Sequence, residues 1–136
     1  MTASAPSASP KNARTLAAEV LAQVLPLTRK HATPKSLSEL LPQLSEAEKD
    51  QGLVQELCFG VCRWFTRLDK LAAPLMRQPF KDRDADLHAL LLVGLYQMFY
   101  LRIPDHAAIA ETVEACRQLK KEWAVKVING MLRSAQ

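Results

Sequence analysis

The side chains in this sequence that are best suited to metal binding or catalysis are three cysteines and three histidines. Cys58 and Cys62 are four residues apart, so on a helix they would share one face. A zinc site needs about four ligands, but His31, His88 and His106 are scattered along the chain. The spacing therefore favours cysteines that act as small core residues over a metal site.

Acidic and thiol groups elsewhere in the chain also lack the partners that an active or ion-binding site requires. Asp82, Asp84 and Asp86 resemble the start of a calcium loop, but the Gly and Glu that complete such a loop are missing. Cys116 is not in an arrangement typical of a nucleophile, and there is no Gly-rich phosphate loop. We therefore predict no catalytic, metal-binding or cofactor-binding residues in this chain.

Glu111 is a carboxylate with few other charges near it in the sequence. One interpretation is an ion pair with Arg102 that ties two helices around the bend at Pro104. A glutamate that simply faces solvent explains the pattern equally well. In either case the expected role is structural.

The positive charge of the chain is concentrated near its N-terminus. Residues 36–136 carry thirteen charges of each sign, whereas residues 1–35 carry one acid and five bases. Such an asymmetry is typical of a surface that binds a polyanion, although a solvated helix beside a basic tail would give it too. The five bases are Lys11, Arg14, Arg29, Lys30 and Lys35.

The element most clearly marked in the sequence is an apolar segment from Leu87 to Ile103, which Pro104 closes. Between residues 89 and 101 its only strongly polar side chain is Gln97. A helix that is apolar on every face is normally buried in a bundle or a membrane, and this run is shorter than the ~20 residues that span a bilayer. We predict the central helix of an all-α core.

Helices are also expected on both sides of this segment, from apolar spacing, capping residues and prolines. Asn12 should cap the first helix, which Pro26 ends, and Ser36 should cap a short second one. Ser45 and Glu48 fit a capping box that opens a third helix, running to about residue 65. A fourth is predicted at residues 67–77.

Two helices should follow the central one. The first is predicted at residues 107–119 with Asp105 as its cap. The last, at residues 122–134, is expected to bury Trp123, Val127, Ile128, Met131 and Leu132. No segment alternates in the way that predicts a strand, so the fold class is all-α with about seven helices.

Three of the four glycines lie inside predicted helices, in a shared pattern of apolar residue, two further residues, Gly and apolar residue. A glycine there costs ~1 kcal/mol of helix propensity relative to alanine. We therefore expect a neighbouring helix to pack closely at Gly60, Gly94 and Gly130.

Three stretches of the chain carry a specific resemblance: LVQELCFGVCRW, LLLVGLYQMFYLRIPDHAAIAETVE and KVINGMLR. They resemble the N-terminal module of bacterial small-subunit ribosomal RNA 5-methylcytosine methyltransferases, the RsmB or Sun/Fmu family. That module is similar in fold to the antitermination factor NusB, an all-α domain of two packed subbundles. The resemblance implies a NusB-like RNA-binding domain over residues 12–136. The Ser-, Ala- and Pro-rich start of the chain predicts a disordered tail at residues 1–11.

The same resemblance implies a second, catalytic domain that is absent from this chain. In the family that domain binds S-adenosylmethionine and uses cysteines in Pro-Cys contexts, which none of Cys58, Cys62 and Cys116 matches. The chain is thus expected to bind and position RNA without methylating it. The alternatives are a protein-interaction module and a NusB-type transcription antitermination factor.

The partners implied are ribosomal RNA and the protein's own C-terminal methyltransferase domain, with neither a membrane nor DNA expected. In NusB-like proteins the basic start of the first helix is associated with RNA. Three cysteines and an N-terminus without a secretory signal favour the cytoplasm. The RNA-binding residues predicted are Lys11, Arg14, Arg29, Lys30, Lys35 and Arg67.

Overall fold

A computed structural model describes residues 11–28, 33–44 and 50–136 of the chain. In these ranges there are seven α-helices and no β-strand, which confirms the all-α prediction. The helices are α1 (Ala13–Val24), α2 (Leu37–Leu40), α3 (Gln51–Arg63), α4 (Phe65–Ala72), α5 (Ala85–Phe99), α6 (Asp105–Gln118) and α7 (Ala124–Ser134).

Helix α5 is the centre of the fold, as its composition predicts. It packs against α1, α3, α4, α6 and α7, and every residue from Ala89 to Gln97 is buried. The helix ends at Phe99, before the predicted Ile103, because Arg102 takes a left-handed conformation with φ of 57°. Helical hydrogen bonding cannot continue through that conformation.

The predicted helix starts are partly confirmed. Asn12 accepts a hydrogen bond from the backbone N–H of Thr15, and Ser36 accepts one from Glu39. The Ser45–Glu48 capping box lies outside the described residues. The prediction for Asp105 is wrong, since Pro104 occupies the cap position and Asp105 is the first residue of α6.

Two of the three glycine predictions are confirmed. A Cβ on Gly94 would lie 2.8 Å from Cδ2 of Leu132, and one on Gly60 would lie 2.5 Å from Cε1 of Tyr96 and nearer still to Cζ and the hydroxyl oxygen of that side chain. The prediction for Gly130 is wrong, because no heavy atom lies within 4 Å of the Cβ position. Gly130 faces an open groove instead of a neighbouring helix.

Helix α7 buries a narrower stripe than its sequence suggests. Ala124, Ile128 and Leu132 are fully buried at a spacing of four residues, which is the stripe that meets α5 and α6. The expected burial of Trp123 and Val127 is wrong, because 58% and 38% of their surfaces are exposed. No described element covers their side of the helix.

Candidate nucleic-acid interface

The start of α1, where the first predicted RNA-binding residues lie, is held firmly against α6. The side-chain oxygen Oε1 of Gln118 accepts hydrogen bonds from the backbone N–H of Asn12, at 2.7 Å, and from the Thr15 hydroxyl, at 2.6 Å. The Asn12 amide also donates to the Glu111 carbonyl. Lys11 is therefore presented from a fixed helix start.

Lys11 itself is exposed at the surface. Its Nζ lies 2.9 Å from a carboxylate oxygen of Glu19, and both side chains remain well solvated. An exposed pair of this kind is worth ~0–1 kcal/mol, so a phosphate group can readily compete with Glu19 for the ammonium.

Arg14, the second predicted residue, is in a different environment. Only 12% of its side chain is exposed, and its Nε donates to Oε1 of the buried Gln97 at 2.8 Å. Gln97 in turn donates to the Thr112 hydroxyl at 2.9 Å. Arg14 thus joins α1 to α5 and α6.

The electrostatics agree with this placement of Arg14. Burial lowers the pKa of its guanidinium, and the carboxylates of Glu111 and Asp50 only partly oppose that shift. Glu111 lies 4.0 Å from the guanidinium. The pair between Glu111 and Arg102, one of the two sequence interpretations, does not form: Arg102 has no ion pair with any described residue.

Lys35 lies at the other end of α1. Its backbone N–H donates to the carbonyl of Gln23 at 3.1 Å, and its side chain is exposed. From the rise of the helix, Lys11 and Lys35 are separated by ~17 Å along α1. Arg29 and Lys30 lie outside the described residues.

Arg67 belongs to a separate cluster at the junction of α3 and α4. The guanidinium carbons of Arg63 and Arg67 lie 5.5 and 6.0 Å from the centre of the Trp64 ring. Trp64 stacks on Tyr100 at 5.1 Å, and Tyr100 on Tyr96 at 5.4 Å. The result is a stack of aromatic rings with two cations at its end, the residue types that contact unpaired bases and phosphates.

The sequence predicts Arg67 as an RNA-binding residue but indicates no aromatic partner for it. Trp64 follows the last residue of α3 and is only half-buried. The sequence does indicate that a cation lies beside this ring, because Arg63 directly precedes Trp64. The contact with Tyr100 was not visible, because it joins residues far apart in the chain.

The thiols show no sign of activation. Burial raises the pKa of Cys58 to about 12 and that of Cys116 to about 11, and it also raises the pKa of Cys62. A nucleophilic cysteine needs its pKa lowered towards neutrality. Among the described residues, no three His, Cys, Asp or Glu side chains are grouped so that they could hold a metal ion.

Helix α5 is the most apolar element, and it has 15 residues. None of the described helices combines the length and the apolar character needed to cross a bilayer.

Comparisons with known proteins relate this chain to one family and to a group of named relatives. The NusB family model matches residues 11–136. Proteins named ribosomal RNA small subunit methyltransferase B match over most of the chain: one from Pseudomonas putida is 54% identical over 127 residues, and one from Shewanella oneidensis is 44% identical over 128. Each match covers 92% of this chain but 28% of the relative.

Proposed function

The chain belongs to the NusB family, and on that basis we propose that it is the RNA-binding, substrate-positioning module of a ribosomal RNA 5-methylcytosine methyltransferase. The observation that carries the proposal is the 54% identity to a ribosomal RNA small subunit methyltransferase B across 92% of this chain. The chain spans only about 28% of the length of that relative. Most of the machinery of such an enzyme would therefore lie outside residues 1–136.

The proposed role within this chain is non-catalytic. Its thiols have raised pKa values, which suits structural cysteines better than nucleophiles. S-adenosylmethionine would bind to a separate catalytic domain, and residues 12–136 would form the RNA-binding domain. The free cysteines suit a cytoplasmic location.

The proposed mechanism is phosphate contact from exposed cations. Lys11 and Lys35, at the two ends of α1, would follow the RNA backbone along the helix, together with Arg29 and Lys30. Arg67 would add a contact beside the Trp64 ring. Contacts of this kind fix orientation and leave sequence recognition to groups that meet the bases.

Arg14 enters the proposal with a changed role. Its Nε is already bonded to Gln97, so a phosphate would have to compete with that buried hydrogen bond. We propose that Arg14 positions the start of α1 while Lys11 makes the contact.

The test is a titration of the chain with a ribosomal RNA fragment at several salt concentrations. We expect weak binding, with a dissociation constant on the order of 10⁻⁴–10⁻⁶ M at physiological salt. The double variant Lys11→Ala/Lys35→Ala should weaken binding and reduce the dependence on salt. Lys70→Ala, which removes an exposed lysine of α4, is the matched control.

Two results would contradict the proposal. One is an affinity for RNA that does not change with salt, because phosphate contacts release counterions. The other is an equal loss of affinity in Lys70→Ala and in the variants of α1, since that would reflect overall charge instead of a surface.

A second candidate function is protein docking, and two exposed aromatic rings favour it. Phe59 on α3 and Phe99 on α5 are 56% and 49% exposed, and exposed aromatic residues are enriched at protein interfaces. The partner would be the methyltransferase domain of the same protein. Phe59→Ser should then weaken association between the separately prepared domains and leave RNA binding unchanged.

A further inference from the structure

A large open groove lies between α7 and the segment that joins α4 to α5. It has a volume of about 1230 Å³, and Phe80, Trp123 and Val127 line it. Pockets for small molecules are usually ~300–1,000 Å³ and mostly enclosed. The size and the open shape suit a section of a polymer better than a metabolite.

Of the six charged side chains that line this groove, five are positive. Five cations line it, namely Arg77, Lys81, Arg83, Lys120 and Lys121, and we call these residues with Trp123 the basic groove. The one acid in the lining, Asp84, is buried and bound to Lys121 at 3.0 Å. Because its charge is already matched, it does little to repel an anion.

Three of the five cations have no acidic partner in the part of the chain that the structure describes. Arg77, Lys81 and Lys120 are exposed, and none of them forms an ion pair with another described residue. Lys11 at the start of α1, by contrast, is paired with Glu19. Arg77, Lys81 and Lys120 therefore give the basic groove positive charge that no described carboxylate neutralises.

The two walls of the groove are fixed relative to each other by Lys121. Its Nζ lies 2.7 Å from Asp86 and 3.0 Å from Asp84, and it donates to the carbonyl of Arg83 at 2.9 Å. Burial alone would lower the pKa of Lys121, but the hydrogen bonds to Asp86 and Asp84 raise it above the ordinary value. The turn before α7 is thus anchored to the start of α5.

Trp123 is placed where an unpaired base could stack on it. It lies directly before α7, and 58% of its surface is exposed. An aromatic platform flanked by exposed cations is the arrangement that binds single-stranded nucleic acid. An acidic protein segment would also meet the cations, but an unpaired base in addition stacks its whole face on the exposed ring.

We propose that the basic groove binds single-stranded RNA, with a base stacked on Trp123 and phosphates on Arg77, Lys81 and Lys120. This inference rests on the proposed role in RNA binding and adds a second contact surface to it. Double-stranded RNA would bind less well, since its paired bases cannot reach the ring.

The test uses the chain itself and a fluorescently labelled oligouridylate of about 8 nucleotides, within the site sizes of single-strand grooves. Binding is measured by anisotropy over a range of salt. Trp123→Leu should weaken binding by ~5- to 100-fold, the range for loss of one stacked base. Trp123→Phe should restore part of the affinity, because it keeps an aromatic face.

The cations are tested separately. Lys81→Ala and Lys120→Ala should each reduce the slope of log affinity against log salt by ~0.7, the value for one phosphate contact on a single strand. Lys70→Ala is the control. All of these side chains are exposed, so the fold should be kept, and circular dichroism checks this.

The outcomes separate the two proposals. If the groove variants bind like the wild type while Lys11→Ala/Lys35→Ala loses affinity, the groove inference is wrong and the proposed function stands. If the wild type shows no salt-dependent RNA binding, both fail. If polyglutamate competes as well as RNA and Trp123→Leu has no effect, the groove suits an acidic protein and the RNA inference is overturned.

Discussion

Replacing Arg14 tests whether this residue supports the fold or serves as a free contact for RNA. Its Nε donates to Oε1 of Gln97 at 2.8 Å, and Gln97 is fully buried. Arg14→Met keeps much of the aliphatic volume of the side chain and removes the donor. The buried oxygen of Gln97 would then lack the charged partner that it has in the wild type.

The expected cost follows from the burial of these groups. A buried polar group left unsatisfied costs ~1–3 kcal/mol, and a hydrogen bond to a charged group contributes ~1.5–3 kcal/mol. Since 12% of Arg14 is exposed, water can restore part of this, and we expect a loss of about 2 kcal/mol. Lys11→Ala should cost less than ~1 kcal/mol, because its pair with Glu19 is solvated.

The assay is urea denaturation followed by circular dichroism, arranged as a double-mutant cycle. Gln97→Leu removes the acceptor, so Arg14→Met should cost less in that background than in the wild type. The coupling free energy should be ~0.5–3 kcal/mol. Below the unfolding transition, Arg14→Met should keep most of its affinity for RNA.

Two results would contradict a structural role for Arg14. Equal stability of Arg14→Met and Lys11→Ala would show that the hydrogen bond to Gln97 does not stabilise the fold. A fully folded Arg14→Met with strongly reduced RNA affinity would show that Arg14 contacts RNA directly.

Three further predictions follow from the packing. Gly60→Ala should lower the free energy of unfolding by about 2 kcal/mol, since its Cβ meets the Tyr96 ring, whereas Gly130→Ala should raise it by up to ~1 kcal/mol. Urea denaturation measures both changes, and a Gly60→Ala variant more stable than the wild type would contradict the close helix crossing. Lys121→Met should lower the melting temperature and expose the groove to limited proteolysis, because two carboxylates lose their partner; unchanged cleavage would argue against the anchor. The pKa of Cys58 rises from 9.0 to about 12 on folding. The stability that the protonated thiol contributes is therefore complete below pH 9 and is lost as the pH rises towards 12. Denaturation across that range should show a free energy of unfolding that falls with pH, and the fall should be less steep in Cys58→Ala.

Much of the fold was predictable because its information is local. The structure confirms three features that depend only on neighbouring residues: the apolar run of α5, the helix caps at Asn12 and Ser36, and the end of α1 before Pro26. The end of α5 was misplaced, since the left-handed conformation of Arg102 has no clear sign in the sequence. Specific motifs also carried the family resemblance.

The candidate site was predictable only in part. The sequence located an excess of positive charge near the N-terminus, but it treated Lys11 and Arg14 as equivalent. Folding brings Gln97 to Arg14 across 83 residues, and no local pattern announces such a contact. Whether a lysine or arginine side chain is free to bind RNA or is already hydrogen-bonded within the protein therefore depends on packing.

The all-α fold, the buried central helix and the family resemblance are all visible in the sequence, because periodicity, composition and motifs are properties of the chain alone. Which helix faces remain open depends on how the helices pack. Trp123 and Val127 fit an apolar helical stripe, yet they line a groove because no described element packs over them. A helix face is buried only when a second element packs against it, and the periodicity of one helix does not tell which element that is.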